Sequence, residues 1–500
     1  MDRSTRQPPP PPTADSRPAA ELRDLLRRAG YGVAGIQEAI LARGDILTSA
    51  AERPVHLRRL HGDGALQTLI RLFLLDEPVE SAVVERSIAP TRLGSLTTLG
   101  VVAESGGLVT GLVRIVPHGD VVLVSDLPTV SADHVAGLHR PSVTLSDLTI
   151  RRPVRAALDM GTGNGIQAIL AARHAERVVA TDVNERALAF AALNVALNGV
   201  TNIELRLGSF FEPVEGEAFG LVVCNPPYVI SPEHEFIFRD SGLGRDRVSE
   251  RLVGELPGYL EEGGFGTILV SWIQDGPDLA ARPRHWIDGT GCDAWILHTG
   301  TEDALTAAGS WNRELADDQA SYAQAIDRWT SYFAAEGIEA VAYGAVVMRR
   351  RTPGPNWIHS RELPDGARVR PQDHLLRLFT GPDLLMQLPT DGALAGLRPA
   401  LAEGSRITTH HVLGVGGWAE TAQLTLDVGI PFAAQVDRLT AEFLVELDGT
   451  RTLGDVLDAF ADVHEAPHEA ARAAGLPVTR RLLELGLVIG APAEGPHVGD

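Results

Sequence analysis

Lysine is missing from this 500-residue chain: all 44 basic residues are arginines, set against 65 acidic ones for a formal net charge of −21. Broad, charge-driven binding to a phosphate backbone is therefore disfavoured, although a local arginine patch is compatible with the sequence. Cysteine is nearly missing too. Cys224 and Cys292 stand far apart, outside any C-x-x-C or Cys/His cluster, so a disulfide framework and a thiolate zinc site are excluded and a cytoplasmic protein is expected. No apolar run approaches the roughly eighteen residues of a membrane helix, and Leu66 to Leu75, interrupted by Arg71, falls well short. The N-terminus has no charged-then-apolar signal pattern; the run Pro8 to Pro12 reads as a solvated polyproline tail.

What is present is an ordinary globular composition, 44% hydrophobic and 22% charged. At about 150 residues per domain it allows roughly three cores. Residues 1–18 are expected to form a disordered proline-rich tail. Residues 19–142 read as a helical or winged-helix substrate-recognition module: Leu22, Leu25 and Leu26 share a helical face, as do Leu66, Leu69, Ile70 and Phe73. Two β-rich runs, Leu108 to Val116 and Val121 to Val124, joined by the turn cluster Pro117 to Asp120, would supply the wing. Residues 352–500 suggest a second winged-helix-like module, with helices Leu439 to Leu447, Leu453 to Phe460 (N-capped by Thr452) and Val478 to Leu485. His410 and His411 are adjacent, so on a strand they would face opposite ways and no shared metal site is expected.

Between these, residues 143–351 alternate strand and helix, the pattern of a mostly parallel sheet covered on both faces. The predicted strands are Val154 to Asp159, Val178 to Asp182, Ile203 to Leu207, Leu221 to Cys224, Gly266 to Ser271, Ala294 to Leu297 and Ala340 to Met348, the last two as an antiparallel edge pair. Helices are predicted at Ile166 to His174, Glu185 to Leu197, Val248 to Glu262 and Gln319 to Ala335, the last extra to a minimal fold. Arg349, Arg350 and Arg351 before Pro353 mark the end of this domain.

Three features of this region carry chemistry. Asp159-Met160-Gly161-Thr162-Gly163-Asn164-Gly165 stands where a buried strand turns into a helix, so glycines admit a ligand to the backbone and the helix start offers free N–H groups. Counting from Gly161 puts Ile166 at the third glycine position of a dinucleotide fingerprint, which argues against NAD or FAD. Asp182 ends the next strand, where a carboxylate can accept from two ribose hydroxyls or cap the following helix. Asn225-Pro226-Pro227-Tyr228 follows an apolar strand directly. Its prolines fix the backbone, and an asparagine carbonyl with a neighbouring main-chain carbonyl can accept both N–H bonds of a planar –NH2 group. Arg239, Arg245 and Arg247 could steer an anionic substrate, but Asp240 and Asp246 among them favour a solvated loop.

In combination these motifs resemble class I S-adenosylmethionine-dependent methyltransferases with an N-P-P-Y motif, over about Val143 to Arg350, and are most similar to the branch that methylates glutamine amides of translation release factors. The resemblance implies a Rossmann-like seven-stranded sheet with S-adenosylmethionine as cofactor. It implies that Asp159, Gly161, Gly163 and Gly165 hold the methionine part and Asp182 the ribose, that Asn225 and the main chain of Pro226 grip the target amine, and that Tyr228 packs against it. Much of the branch has an aspartate where Ser209 stands between Gly208 and Phe210; here a serine hydroxyl or a backbone group takes over the adenine contact. The resemblance does not choose among glutamine amides, adenine amino groups and guanine amino groups. The expected acceptor is a protein glutamine, with RNA or DNA as the alternative and a non-catalytic scaffold as the competing class. No metal and no membrane partner are expected.

Overall fold

The computed structural model describes residues 9–41, 52–127, 131–233, 243–316, 318–352, 354–363, 371–414 and 417–492. Two compact units emerge, Met1–Ser146 with Arg151–Arg361, and Asp147–Ile150 with Glu362–Asp500. No helix among the described residues is long and apolar enough to cross a membrane.

In the first unit, apolar residues at helical spacing form the expected helices. Ser16–Arg28 buries Leu22, Leu25 and Leu26, and Ala65–Phe73 buries Leu69, Ile70 and Phe73 in the same core. From Ala65 the order is helix, the short strand Val79–Glu80, helices Ser81–Ile88 and Leu93–Thr98, then strands Val102–Ser105 and Leu108–Gly111. The three strands form one antiparallel sheet in the order Val79–Glu80, Leu108–Gly111, Val102–Ser105. The hairpin of this sheet is not the one the sequence suggested. The run 108–116 is two strands, because Gly111 lies so close to the Leu72 carbonyl that a Cβ would sit 2.2 Å from its oxygen. Leu112 N–H then donates to Val101 O (2.9 Å), and the chain leaves the sheet.

The next hairpin, Val113–His118 with Val121–Asp126, does not project as a wing. Asn194, on the helix Glu185–Leu197, accepts from Val124 N–H (2.7 Å) and donates to Val124 O (2.9 Å). Asn198, at the C-cap of that helix, does the same with Val122 (3.0 and 2.8 Å). Side-chain amides thus satisfy a strand edge that another strand would otherwise fill. The same helix adds Ala187, Phe190, Leu193 and Leu197 to the N-terminal core, so module and sheet share it. The expected tail is also shorter. Thr13 donates its N–H to Leu99 O (3.0 Å) and its hydroxyl to Thr98 O (3.1 Å), Pro12 is buried, and helix begins at Ser16; Pro8 and the residues before it lie outside the described residues.

All seven expected strands are present, and an eighth extends the sheet. In spatial order they are Ile358–Glu362, Cys292–Asp303, Ala340–Arg350, Leu260–Ile273, Phe219–Cys224, Val154–Met160, Ala175–Asp182 and Ile203–Leu207. The last five run parallel, and Ala340–Arg350 is antiparallel to both neighbours. The eighth strand arises because the arginines read as a domain end fold back. Fully buried Asp293 accepts from Arg349 Nη2 (2.7 Å) and from Arg351 Nε (2.6 Å) and Nη2 (3.0 Å), and Ala294 N–H donates to Trp357 O (2.9 Å). The helix predicted to reach Glu262 spans only Arg247–Glu255. Pro257 interrupts its hydrogen bonding, a 3-10 turn follows, and strand begins at Leu260.

The second unit contains the three predicted helices as Arg438–Val445, Leu453–Val463 and His468–Glu484, with Thr452 capping the second through Asp455 N–H (3.2 Å). Strand Val488–Pro492 pairs with Leu397–Leu401. Absent from the sequence reading was an antiparallel sheet of Ser405–Gly414, Gly417–Leu426 and Phe432–Val436, on which His410 and His411 lie opposite Thr421 and Glu420.

Candidate active site

The strand order reverses between Val154–Met160 and Phe219–Cys224, and open α/β sheets place ligands at the carboxyl ends of such a pair. A cavity of about 340 Å³ opens there. Its walls include Asp159, Gly161, Gly163, Asp182, Ser209, Asn225 and Pro226, so most residues singled out from sequence converge on one space.

The glycine loop is held from both sides. Asp159 is buried and accepts from Thr162 Oγ1 (2.6 Å) and Ala168 N–H (2.9 Å). Burial outweighs these bonds and pushes its carboxyl up to about 7. Asp182 Oδ2 accepts from Gly163 N–H (2.8 Å) and Oδ1 from Asn184 N–H (2.9 Å). Burial raises its pKa as well, against the pull of those backbone donors. Gly163 has φ +55°, and a Cβ there would meet nothing within 4 Å, so the loop leaves open space on its cavity side. Gly165 does not line the cavity. It has φ +85° and sits with its Cβ position 3.3 Å from Ala191, letting the loop approach the neighbouring helix.

Next to this loop, the backbone carbonyl of Asn225 lies 3.8 Å from the Cβ position of Gly161. Pro226 O accepts Tyr228 N–H (2.8 Å), closing a tight turn. Tyr228 lies behind this wall, packed against the core of the sheet, and its main-chain oxygen accepts from Ser271 Oγ. Burial pushes its phenol up to about 12. Beyond the motif, Glu233 pairs with Arg328 (2.9 Å) on the extra helix Gln319–Ala335. Arg245 donates to Glu336 O (2.7 Å), and Asp246 binds Arg282 Nε (2.7 Å) and Nη2 (2.9 Å). Arg239 and Asp240 lie outside the described residues.

Sequence reasoning missed the third wall, made by His134, Val135, Ala136, Gly137 and His139. Asn184 Nδ2 donates to Asp133 O (2.9 Å) and Asn164 Nδ2 to Ala136 O (3.1 Å), tying this segment to both signature loops. Burial lowers the pKa of His134 and of His139. The available signal was Asn184 and Asn164, polar side chains beside the two signatures that can donate to a carbonyl elsewhere in the chain.

The glycine loop, the acid after the second strand and the asparagine-proline turn all fall within a stretch that is similar to a methyltransferase family. Residues 142–270 match the family described as Methyltransferase small domain, and residues 28–112 match a domain of unknown function, DUF7059. The release factor glutamine methyltransferase of Xylella fastidiosa is 33% identical over 135 residues, covering 24% of this chain and 48% of that protein. The ribosomal protein uL3 glutamine methyltransferase of Bordetella pertussis is 39% identical over 136 residues, covering 24% and 45%. The ribosomal RNA small subunit methyltransferase C of Alcanivorax borkumensis is 30% identical over 125 residues, covering 24% and 35%. The chain spans about half the length, or less, of these relatives.

Proposed function

We propose that this chain is an S-adenosylmethionine-dependent N-methyltransferase whose acceptor is a glutamine side chain of a protein, a translation release factor foremost. One observation carries the reading: the loop held by Asp182 and the turn carrying Asn225 and Pro226 line a single cavity.

The residues present fit the cofactor. Each Asp182 oxygen accepts one backbone N–H and keeps lone-pair capacity for a ribose hydroxyl. The open space at Gly163 suits the methionine part, and Ser209 stands on the wall where an adenine amino group needs an acceptor. When bound, S-adenosylmethionine supplies an electrophilic methyl group on a sulfonium. The Asn225 side-chain carbonyl and the remaining lone pair of Pro226 O accept the two amide N–H bonds, turning the nitrogen toward that methyl. Tyr228 buttresses the turn from behind. Because the amide lone pair is delocalised, alignment in a water-poor space is the main task of the residues, with no nucleophilic side chain required.

Similarity to glutamine methyltransferases and the net charge of −21 support a protein acceptor. The free, buried Cys224 and Cys292 suit the reducing cytoplasm in which release factors act. A second reading, an amino group of an RNA base, is favoured by the likeness to a ribosomal RNA methyltransferase. The deciding experiment offers labelled cofactor to a purified release factor, to ribosomal protein uL3 and to ribosomal RNA, then identifies the methylated residue by mass spectrometry. A methylated glutamine, formed with little change between about 50 and 200 mM salt, supports the proposal. Label in RNA, lost steeply over that salt range, overturns it.

A further inference from the structure

Arg186 and Asp126 form an ion pair with almost no access to water, their side chains 6% and 3% exposed. The guanidinium grips both carboxylate oxygens, through Nε to Oδ2 (2.8 Å) and Nη2 to Oδ1. Asp126 ends the hairpin held by Asn194, and its Oδ2 also accepts Val135 N–H (2.9 Å) from the third wall of the cavity. Arg186 N–H donates to Asn184 Oδ1 (2.9 Å), and Asn184 in turn holds both Asp182 and Asp133 O. The remaining arm of the guanidinium, Nη1, donates to Pro9 O (2.7 Å). A buried pair of this kind does little for stability by itself, but it fixes one geometry because any loosened partner leaves an uncompensated charge.

We propose that Arg186 and Asp126 are positioning residues for the cofactor site, and that the proline-rich segment 9–13, docked on Leu99 and on Arg186, completes their clamp on the wall at 133–137. The segment's role goes beyond the methyltransferase reading, although its expression in cofactor affinity rests on that reading. Prolines suit it. Their fixed φ leaves little entropy to lose on docking, so one main-chain carbonyl is delivered to Arg186 at low cost. Two regions far apart in sequence therefore meet at one guanidinium: a segment ahead of the first helix, through Pro9 O, and the hairpin end at Asp126 that holds Val135 N–H.

Pro12 is buried in the docked segment but does not line the cavity, so Pro12→Asp should undock the segment without touching the ligand. The full chain carrying it is compared with the wild type by calorimetry with S-adenosylmethionine and by hydrogen exchange without ligand. The expected result is about tenfold weaker binding, in line with the sensitivity of sites to small misplacements, with faster exchange at Val135 and Ala136 and unchanged exchange in the strand Val154–Met160. Arg186→Lys, which keeps the charge but not the fork, should retain more affinity than Arg186→Gln. Unchanged affinity and exchange in Pro12→Asp, or exchange accelerated equally across the sheet, would overturn the proposal. A wild type that does not bind S-adenosylmethionine would overturn the functional reading instead, and the exchange pattern would still decide whether the segment holds the wall.

Discussion

Two parts of the cavity wall are built on different principles. On the glycine-loop side, Asp159 and Asp182 each accept two donors, four bonds fixing both carboxylates before any ligand arrives. On the asparagine-proline turn, the Asn225 side chain has no hydrogen-bond partner among the described residues, and only its backbone is fixed, by two prolines and the Ser271 contact to Tyr228 O. The first wall is preorganised down to its side chains. The second holds a rigid backbone and leaves one amide uncommitted. Such a division suits a cavity that holds one ligand by groups already fixed in place and a second by a group still free to accept.

The contrast is tested most severely at Asn225. If that amide serves only the acceptor, Asn225→Ala should lower the transfer rate by about a hundredfold or more, the usual loss for one aligned polar contact in a desolvated site, while S-adenosylmethionine binds as before. Single-turnover transfer and calorimetry together check both halves. Transfer within a few-fold of wild type would make the turn purely structural. Asp182→Ala should do the reverse, weakening cofactor binding by about 1 to 3 kcal/mol, the cost of leaving ribose hydroxyls unpaired, with a smaller loss of rate at saturating cofactor. If both variants lose cofactor affinity equally, the two walls are not separable and the comparison fails.

The same difference explains what could be read from the sequence. Asp159 to Gly165, Asp182 and Asn225 to Tyr228 are short contiguous signatures at strand ends, where a buried apolar run fixes the position of the next few residues. The seven strands were legible for the same reason. The eighth was not, because it depends on Asp293 gathering Arg349 and Arg351 from 56 and 58 residues away. Likewise the wall at 133–137 rests on the Asp126 to Arg186 pair, 60 residues apart. A buried ion pair leaves no periodicity behind. The misplaced wing was a local failure: the run 108–116 is uniformly β-prone, and only the close approach of Gly111 to Leu72 divides it. In the second unit, the sheet from Ser405 to Val436 includes polar strand residues such as Thr408, Thr409 and His410, so neither period stood out.

The smallest expected effect probes how the first wall is charged. The Asp159 carboxyl sits at about 7, raised by burial, so near pH 6 it is largely protonated in the cofactor-free protein. A cationic ligand in this cavity favours the ionised form, and ligand binding should therefore release part of a proton near pH 6. Affinity for S-adenosylmethionine should rise by roughly tenfold, or about 1.4 kcal/mol, between pH 6 and 8 and level off above the carboxyl's pKa. The sign for folding is opposite. Below pH 7 the native state holds a proton that the unfolded chain has already lost, so this group makes the cofactor-free protein less stable as pH climbs from about 4 to 7. Burial lowers the pKa of His134 and His139 on the third wall, and Asp182, also raised by burial, bends the profile in the same direction as Asp159. Asp159→Asn separates the contributions, because it keeps the shape of the side chain and cannot ionise. Calorimetry in buffers of different ionisation enthalpy should show proton release in the wild type at pH 6, and in the variant both the release and most of the pH dependence of affinity should disappear. A wild-type affinity that is flat from pH 6 to 8 would mean that Asp159 is already ionised without ligand, and the glycine-loop wall would then be fixed in charge as well as in geometry.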